Sequence, residues 1–190
     1  MDALPLASAD AEFRGRLGHP YVWVERCAST QQLLDGAPEG AVAVADEQTH
    51  GRGRLGRTWE APPGKALLFS IVLEPRVPGE RLPELSLVAG RALAQAIAAE
   101  TGLRAEVKAP NDVLIGGRKV AGILGEATDG RVVLGIGVNV AQDAGELPTR
   151  TQFAATSLAL EGAETDRGRL LATILETLER LYDEWLSAAT

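Results

Sequence analysis

Large and β-branched residues alternate over Tyr21-Val22-Trp23-Val24-Glu25, which predicts a strand. Ser29 or Thr30 then stands where a short helix ending near Gly36 would need its cap. A small apolar stretch, Ala41 to Ala45, predicts a second strand running directly into a polar loop. Leu67 to Leu73 is apolar almost throughout and has the length of a strand buried on both faces. Pro83 suits the first turn of a helix, where its missing N–H costs nothing. Leu85, Val88, Ala89, Ala92, Leu93 and Ala96 continue at helical spacing until Gly102 supplies a stop. Positions 104 to 140 are strand-like, broken by Gly116-Gly117 and Thr128-Asp129-Gly130, both suited to hairpin turns. Leu170, Leu171, Ile174, Leu175, Leu178, Leu181, Tyr182 and Trp185 then outline an amphipathic helix over 166–187.

Strands connected mainly by hairpins, with three interspersed helices, predict an α+β fold rather than regular βαβ winding. The 190 residues suit one domain with a sizeable core, preceded by a tail over 1–20 whose first ten residues are loosely held. Charge and composition narrow the chemistry. A net charge of −7 argues against broad electrostatic contact with nucleic acid. The lone Cys27 excludes an internal disulfide and a multi-cysteine metal site, and His19 and His50 stand far apart for zinc. No apolar run approaches the about 20 residues that span a bilayer, so no membrane partner and a cytoplasmic location are expected.

Against that acidic background, three polar segments carry clustered positive charge and glycine. They are Gln48 to Trp59, Lys108 to Asp112 with Gly117 to Gly122, and Gly135 to Val140. Arginine offers a rigid fork of donors for carboxylate and phosphate oxygens, and neighbouring glycines let backbone approach a ligand. Taken singly, the Gly-Arg string reads as a solvated loop, Lys108 with Asp112 as a surface ion pair, and Asn139 as a turn residue. Together, six cations, one carboxylate (Asp112) and two asparagines suit a reaction between two anions. A carboxylate attacking a nucleotide α-phosphate meets Coulomb repulsion that fixed cations and a metal offset. Asp112 could position Mg²⁺, which takes one or two carboxylates with phosphate oxygens and water. No Gly-x-Ser-x-Gly elbow or cysteine–histidine pair marks a nucleophile.

The segments GRGRLGRTW and KAPNDVLIGGRKVAGIL resemble the two signature segments of biotin protein ligases, which attach biotin to carboxylase carrier proteins. CASTQQLL is similar to that family's Ser-Thr-Asn segment, and GIGVNV to its Gly-x-Gly-x-Asn segment. The resemblance runs from about residue 21 to 186. It implies a mixed, largely antiparallel sheet packed with helices, of the class II aminoacyl-tRNA synthetase and biotin ligase kind. It also implies a two-step reaction in which biotin and ATP give biotinyl-5′-AMP and a carrier lysine takes up the biotin. Ser29, Thr30 and Gln48 would hold the ureido ring. Gly51 to Arg57, Gly53 included, would be the loop closing over biotin and the adenylate, with Arg52, Arg54 and Arg57 meeting carboxylate and phosphates; Trp59 would wall the pocket, and Gly122 would bind biotin. Arg54 and Lys119 would be catalytic, Lys119 meeting both the carboxylate and the α-phosphate. Arg57, Lys108, Asn111, Asp112 and Asn139 would serve the nucleotide, and Asp112 its metal. ATP and Mg²⁺ are the implied cofactors.

The implied acceptor is the biotin carboxyl carrier protein of an acyl-CoA carboxylase, and a homodimer through a sheet edge stays open. Where the family carries tryptophan this chain has Ala109, and where it carries asparagine this chain has Gln31. The expected organisation is a single catalytic domain over 1–190, without the helix-turn-helix or the SH3-like barrel found in other members. Lipoate ligases share the implied fold, but their Arg-Arg and Gly-Gly-Gly run with a following histidine has no counterpart here. A non-catalytic module that binds biotin or biotinyl-adenylate is the alternative from another class. An RNA-binding Gly-Arg module would need stacking aromatics and a basic surface.

Overall fold

The computed structural model describes residues 4–149 and 151–188. Its strands are β1 (Tyr21–Cys27), β2 (Val42–Gln48), β3 (Ala66–Leu73), β4 (Ala105–Lys108), β5 (Asp112–Ile115), β6 (Arg118–Thr128) and β7 (Arg131–Asn139). They form one seven-stranded sheet in the order β1-β2-β3-β7-β6-β5-β4. Only β1 and β2 run parallel among neighbours, and the other pairs are antiparallel. Helices α1 (Leu85–Thr101) and α2 (Arg167–Ser187) pack on each other and against one face of the sheet.

Strand β3, third in this order between β2 and β7, is buried along its whole length. Leu67, Phe69, Ile71 and Leu73 join the main core with α1 and α2, whereas Val72 joins a second cluster with Leu34, Ala41 and Ala43. Ser70 is the polar residue within this otherwise apolar run and is fully buried. The period-2 alternation of a strand therefore sends one set to the helices and the other to the opposite face. Leu93 of α1 is fully buried in the main core. Leu93→Ala is expected to cost about 2–5 kcal/mol, read from the midpoint of chemical unfolding.

Local chemistry explains the turns. In both tight hairpins the two central residues have positive φ: Gly116 and Gly117 at 56° and 79°, Asp129 and Gly130 at 51° and 83°. That is the type I′ geometry matching strand twist. Gly102 ends α1 in the left-handed region at φ 73°. Asp166 caps α2, its carboxylate accepting from the Arg169 N–H at 3.0 Å.

Three expectations need correction. The segment from Leu4 is not a loose tail: Leu6 and Ala9 are buried, the Leu4 N–H donates to Asp166 and the Tyr21 hydroxyl donates to the Leu6 carbonyl. Its apolar residues are too few to show periodicity, but they find a groove on α2. Ser29 and Thr30 do not cap a helix; the chain there makes only a 3-10 turn at Gln32–Leu34, without a side-chain cap. Pro83 sits in a 3-10 turn, Gly79–Glu84, that leads into α1 rather than in its first α turn.

Candidate active site

Register alignment builds the floor of the site. Leu68, Gly137, Gly122 and Asp112 occupy one lateral row across β3, β7, β6 and β5, and Ser70, Gly135 and Leu124 the adjacent row. The glycines make this face a trough. A Cβ on Gly137 would stand 2.4 Å from Trp59 Cε2, and one on Gly122 2.8 Å from Trp59 Cζ3. The indole thus lies directly on sheet backbone. A Cβ on Gly135 would meet the Gln31 side chain at 3.0 Å, so that glycine seats the glutamine amide. The Gly-x-Gly pattern is a footprint for two side chains from elsewhere in the chain.

The Gly-Arg segment forms a small irregular hairpin over this trough. The Gly53 N–H donates to the Arg57 carbonyl at 2.7 Å and the Trp59 N–H to the Gly51 carbonyl at 2.9 Å. Leu55 stands at its tip with φ 58° and is 89% exposed. Arg52 Nη2 donates to Gln31 Oε1 at 3.1 Å and to Glu126 Oε2 at 2.6 Å. Arg54 Nη1 donates to Asn111 Oδ1 at 3.2 Å. The hairpin therefore reaches the sheet through two arginines on separate partners.

Beneath it lies a cavity of about 500 Å³. Ser29, Thr30 and Gln48 line it together with Arg52, Gly53, Arg54, Arg57, Trp59, Asn111, Asp112, Lys119, Gly122 and Asn139. Gln48 Oε1 accepts from the Thr30 N–H at 2.7 Å and the Thr30 hydroxyl at 3.1 Å, and that hydroxyl lies 2.7 Å from Ser70 Oγ. This fixes a polar, uncharged corner of the wall beside Phe69. Lys119 Nζ lies 2.6 Å from Asp112 Oδ1 and 5.5 Å from the centre of the Trp59 ring. The Lys119 backbone is held on both sides, its N–H donating to the Ala154 carbonyl and its carbonyl accepting from the Thr156 N–H, each at 2.8 Å. A β-bulge between β5 and β6 falls beside Lys119, the kind of irregularity that re-aims a side chain.

Two expected residues fall outside the cavity wall. Lys108 is exposed on β4, in register with Asp112 across the hairpin. Gly51 is buried and supports the base of the loop instead, since a Cβ there would stand 2.2 Å from the Trp59 carbonyl oxygen. Asn139 lines the cavity but its amide is already used: Nδ2 donates to the Thr156 carbonyl and Oδ1 accepts from Gln142 Nε2, both at 2.9 Å. The side chain thereby braces the 154–158 segment from the cavity wall.

Sequence reasoning missed Gln31 and Ser70 as parts of the wall, and the segment carrying Pro148, Thr151, Gln152, Phe153 and Ala155. A lone serine inside Leu67 to Leu73 was a readable signal. The 148–155 segment has no periodicity to betray it.

Among the described residues, four cationic side chains and two carboxylates line the cavity, in a chain of net charge −7. The hollow thus concentrates positive charge, as an anion site requires. Cys27 lies outside it, and burial pushes its thiol pKa up, so it is unsuited to nucleophilic work. Among the described residues, no group of three His, Cys, Asp or Glu side chains could hold a metal, and no helix is long and apolar enough to cross a membrane.

Residues 23–143 match the model of the biotin/lipoate A/B protein ligase family. The chain belongs to that family. Within it, the chain is 36% identical over 182 residues to the bifunctional ligase/repressor BirA of Bacillus spizizenii, covering 90% of this chain and 56% of that protein. It is 41% identical over 159 residues to the biotin–[acetyl-CoA-carboxylase] ligase of Mycobacterium tuberculosis, covering 79% and 57%. It therefore spans a little over half the length of these relatives. Among solved structures, the Aquifex aeolicus biotin protein ligase in complex with biotin and ATP superposes with a TM-score of 0.78 at 34% identity, covering 87% of this chain and 71% of that one. The Leishmania major biotin protein ligase bound to biotinyl-5-AMP gives 0.72 at 27% identity, covering 86% and 75%. The α+β, largely antiparallel fold of a family ligase is thereby established for this chain.

Proposed function

We propose that this chain activates biotin with ATP and transfers it to a lysine of a carrier protein. One observation carries the reading: a polar corner built from Thr30 and Gln48 and a cationic pair, Lys119 and Arg54, share one cavity. In the first step a biotin carboxylate oxygen attacks the α-phosphorus of ATP, the bond to the bridging oxygen breaks, and pyrophosphate leaves. In the second, the unprotonated amine of the carrier lysine attacks the acyl carbon. The carbon–oxygen bond to phosphate breaks, AMP leaves, and the amine proton passes to solvent.

Ser29, Thr30 and Gln48 orient the planar ureido head, whose edge an apolar wall alone would leave unpaired. Lys119 turns from Asp112 to the carboxylate–phosphate junction, where negative charge accumulates, and Arg54 approaches it from the hairpin. Such donors act most strongly where water is excluded, and the hairpin with Trp59 covers the site. Arg57 and Asn111 face the nucleotide, and Asn139 holds the 154–158 wall behind it. The glutamine and hydroxyl donors fit a neutral ureido group better than a lipoyl chain, which distinguishes biotin from the family's other substrate class.

The donor set around Asp112 suits Mg²⁺: a carboxylate on the wall of a cation-lined cavity matches an ion that keeps water and phosphate oxygens as ligands. Asp112 would hold it once Lys119 has turned away, and the bound ion would neutralise phosphate charge. Full dependence of adenylate formation on added magnesium is expected, with EDTA abolishing it. The carrier is proposed to be the biotin carboxyl carrier protein of an acyl-CoA carboxylase, in keeping with the Mycobacterium relative's name, in a cytoplasmic setting. Biotin-dependent exchange of label between pyrophosphate and ATP tests the reading. Exchange with biotin and none with lipoate is expected; tight biotin binding without exchange would overturn it.

A further inference from the structure

Arg52 is expected to meet the substrate, yet its guanidinium is engaged within the protein. Glu126 on β6 accepts from Nη2 at 2.6 Å, and Gln31 Oε1 accepts from the same nitrogen at 3.1 Å. Glu126 does not line the cavity. Gln31 is buried at 6% exposure, and its Nε2 points to the Leu124 and Val133 carbonyls at 3.3 and 3.4 Å. The missing side chain of Gly135 leaves the room in which this amide lies. One glutamine thus ties two sheet strands to the hairpin, and it does so from the position directly after Ser29 and Thr30. An asparagine, one methylene shorter, could not hold both ends at once.

We propose that Gln31 and Glu126 are positioning residues that latch the Gly-Arg hairpin shut through Arg52, and so retain biotin and its adenylate. This rests on the ligase reading for the identity of the ligand, but not for the latch itself. The division of labour follows from placement. Arg52 is fastened at the β6 end of the hairpin by an internal carboxylate, while Arg54, on Asn111, lies on the side of Lys119 and Asp112. Glu126 stands outside the cavity, so loosening the latch there should raise escape of ligand rather than slow chemistry. The ion pair is half exposed, with side-chain exposures of 44% and 42%, so its effect is moderate. The glutamine contact, made in a buried setting to a charged donor, adds to it.

The test compares wild type with Glu126→Gln, Gln31→Ala and the charge swap Arg52→Glu/Glu126→Arg. Amide exchange of residues 51–59 is measured without ligand, alongside biotin KM, saturated rate and the release of biotinyl-adenylate. Exchange in both single variants should quicken about three- to tenfold. For Glu126→Gln, biotin KM and adenylate release should rise by a similar factor, with the saturated rate within about twofold. The swap should bring exchange back to within about twofold of wild type. Unchanged exchange and KM in the single variants, or a swap no better protected than Glu126→Gln, would overturn the latch. Wild type that exchanges as expected but makes no adenylate would instead overturn the ligase reading and leave the latch standing.

Discussion

Replacing Lys119 with alanine is expected to reduce pyrophosphate release at saturating biotin and ATP by at least about 100-fold, and Arg54→Ala to act in the same direction. Removing a single preorganised donor at a site of developing charge typically costs about 100- to 1000-fold. Here the two reacting groups are both anions. Two unit charges 4 Å apart interact by about 4 kcal/mol near a protein surface, so one misplaced cation is felt directly in the barrier. The Lys119 substitution has a second consequence, because Asp112 loses its 2.6 Å partner and depends on the magnesium ion alone for compensation. The loss should therefore exceed that of Arg54→Ala, whose present partner is the neutral Asn111. Global stability should change little in either case, since both residues lie at the rim of the cavity rather than in the core. Quench-flow measurement of adenylate formation, with thermal unfolding as the control, checks both statements. Normal rates in both variants would remove these residues from the chemistry.

The second large effect concerns a residue with no side chain. Gly137→Val places its Cβ where Trp59 Cε2 now lies, at 2.4 Å, and Nε1 at 2.7 Å. The obstacle is a rigid indole against sheet backbone, so the ring must leave the trough. Without it, the hairpin loses the contact that fixes its Trp59 leg, and the cavity loses a wall. Biotin affinity should fall about 100-fold by calorimetry, and overpacking should cost about 1–3 kcal/mol of stability. If the clash with Trp59 is the cause, Trp59→Ala should destabilise the Gly137→Val background less than the wild-type one. Such coupling is the expected sign of residues in direct contact.

Much of this architecture was legible from residues alone, and the reasons differ by element. The two glycine-bearing hairpins were readable because positive φ at both central positions demands Gly, Asn or Asp. Helices α1 and α2 were readable because one face of each is apolar at the right period and Gly102 marks a stop. The cationic loop stood out because it contradicts the overall charge of the chain. What stayed hidden depends on contacts distant in sequence. The parallel pairing of β1 with β2 has no turn signal, since the Ser-Thr-Gln segment runs between them. The use of Asn139 as a brace depends on Gln142 and Thr156, whose positions no local pattern reveals. The latch is hidden for the same reason: Gln31, Arg52 and Glu126 are widely separated along the chain and meet only through the sheet. Lys108 shows the limit of a motif read alone, because the motif cannot say that the β4–β5 hairpin carries this residue beside the cavity wall rather than in it.

The most direct measurement is a crystal structure of this chain after incubation with biotin, ATP and magnesium. Biotinyl-adenylate is expected beneath the hairpin, its ureido ring against Thr30 and Gln48 and its acyl–phosphate junction within hydrogen-bond distance of Lys119. An adenylate whose junction lies away from Lys119 and Arg54, or biotin and nucleotide held in separate hollows, would contradict this arrangement.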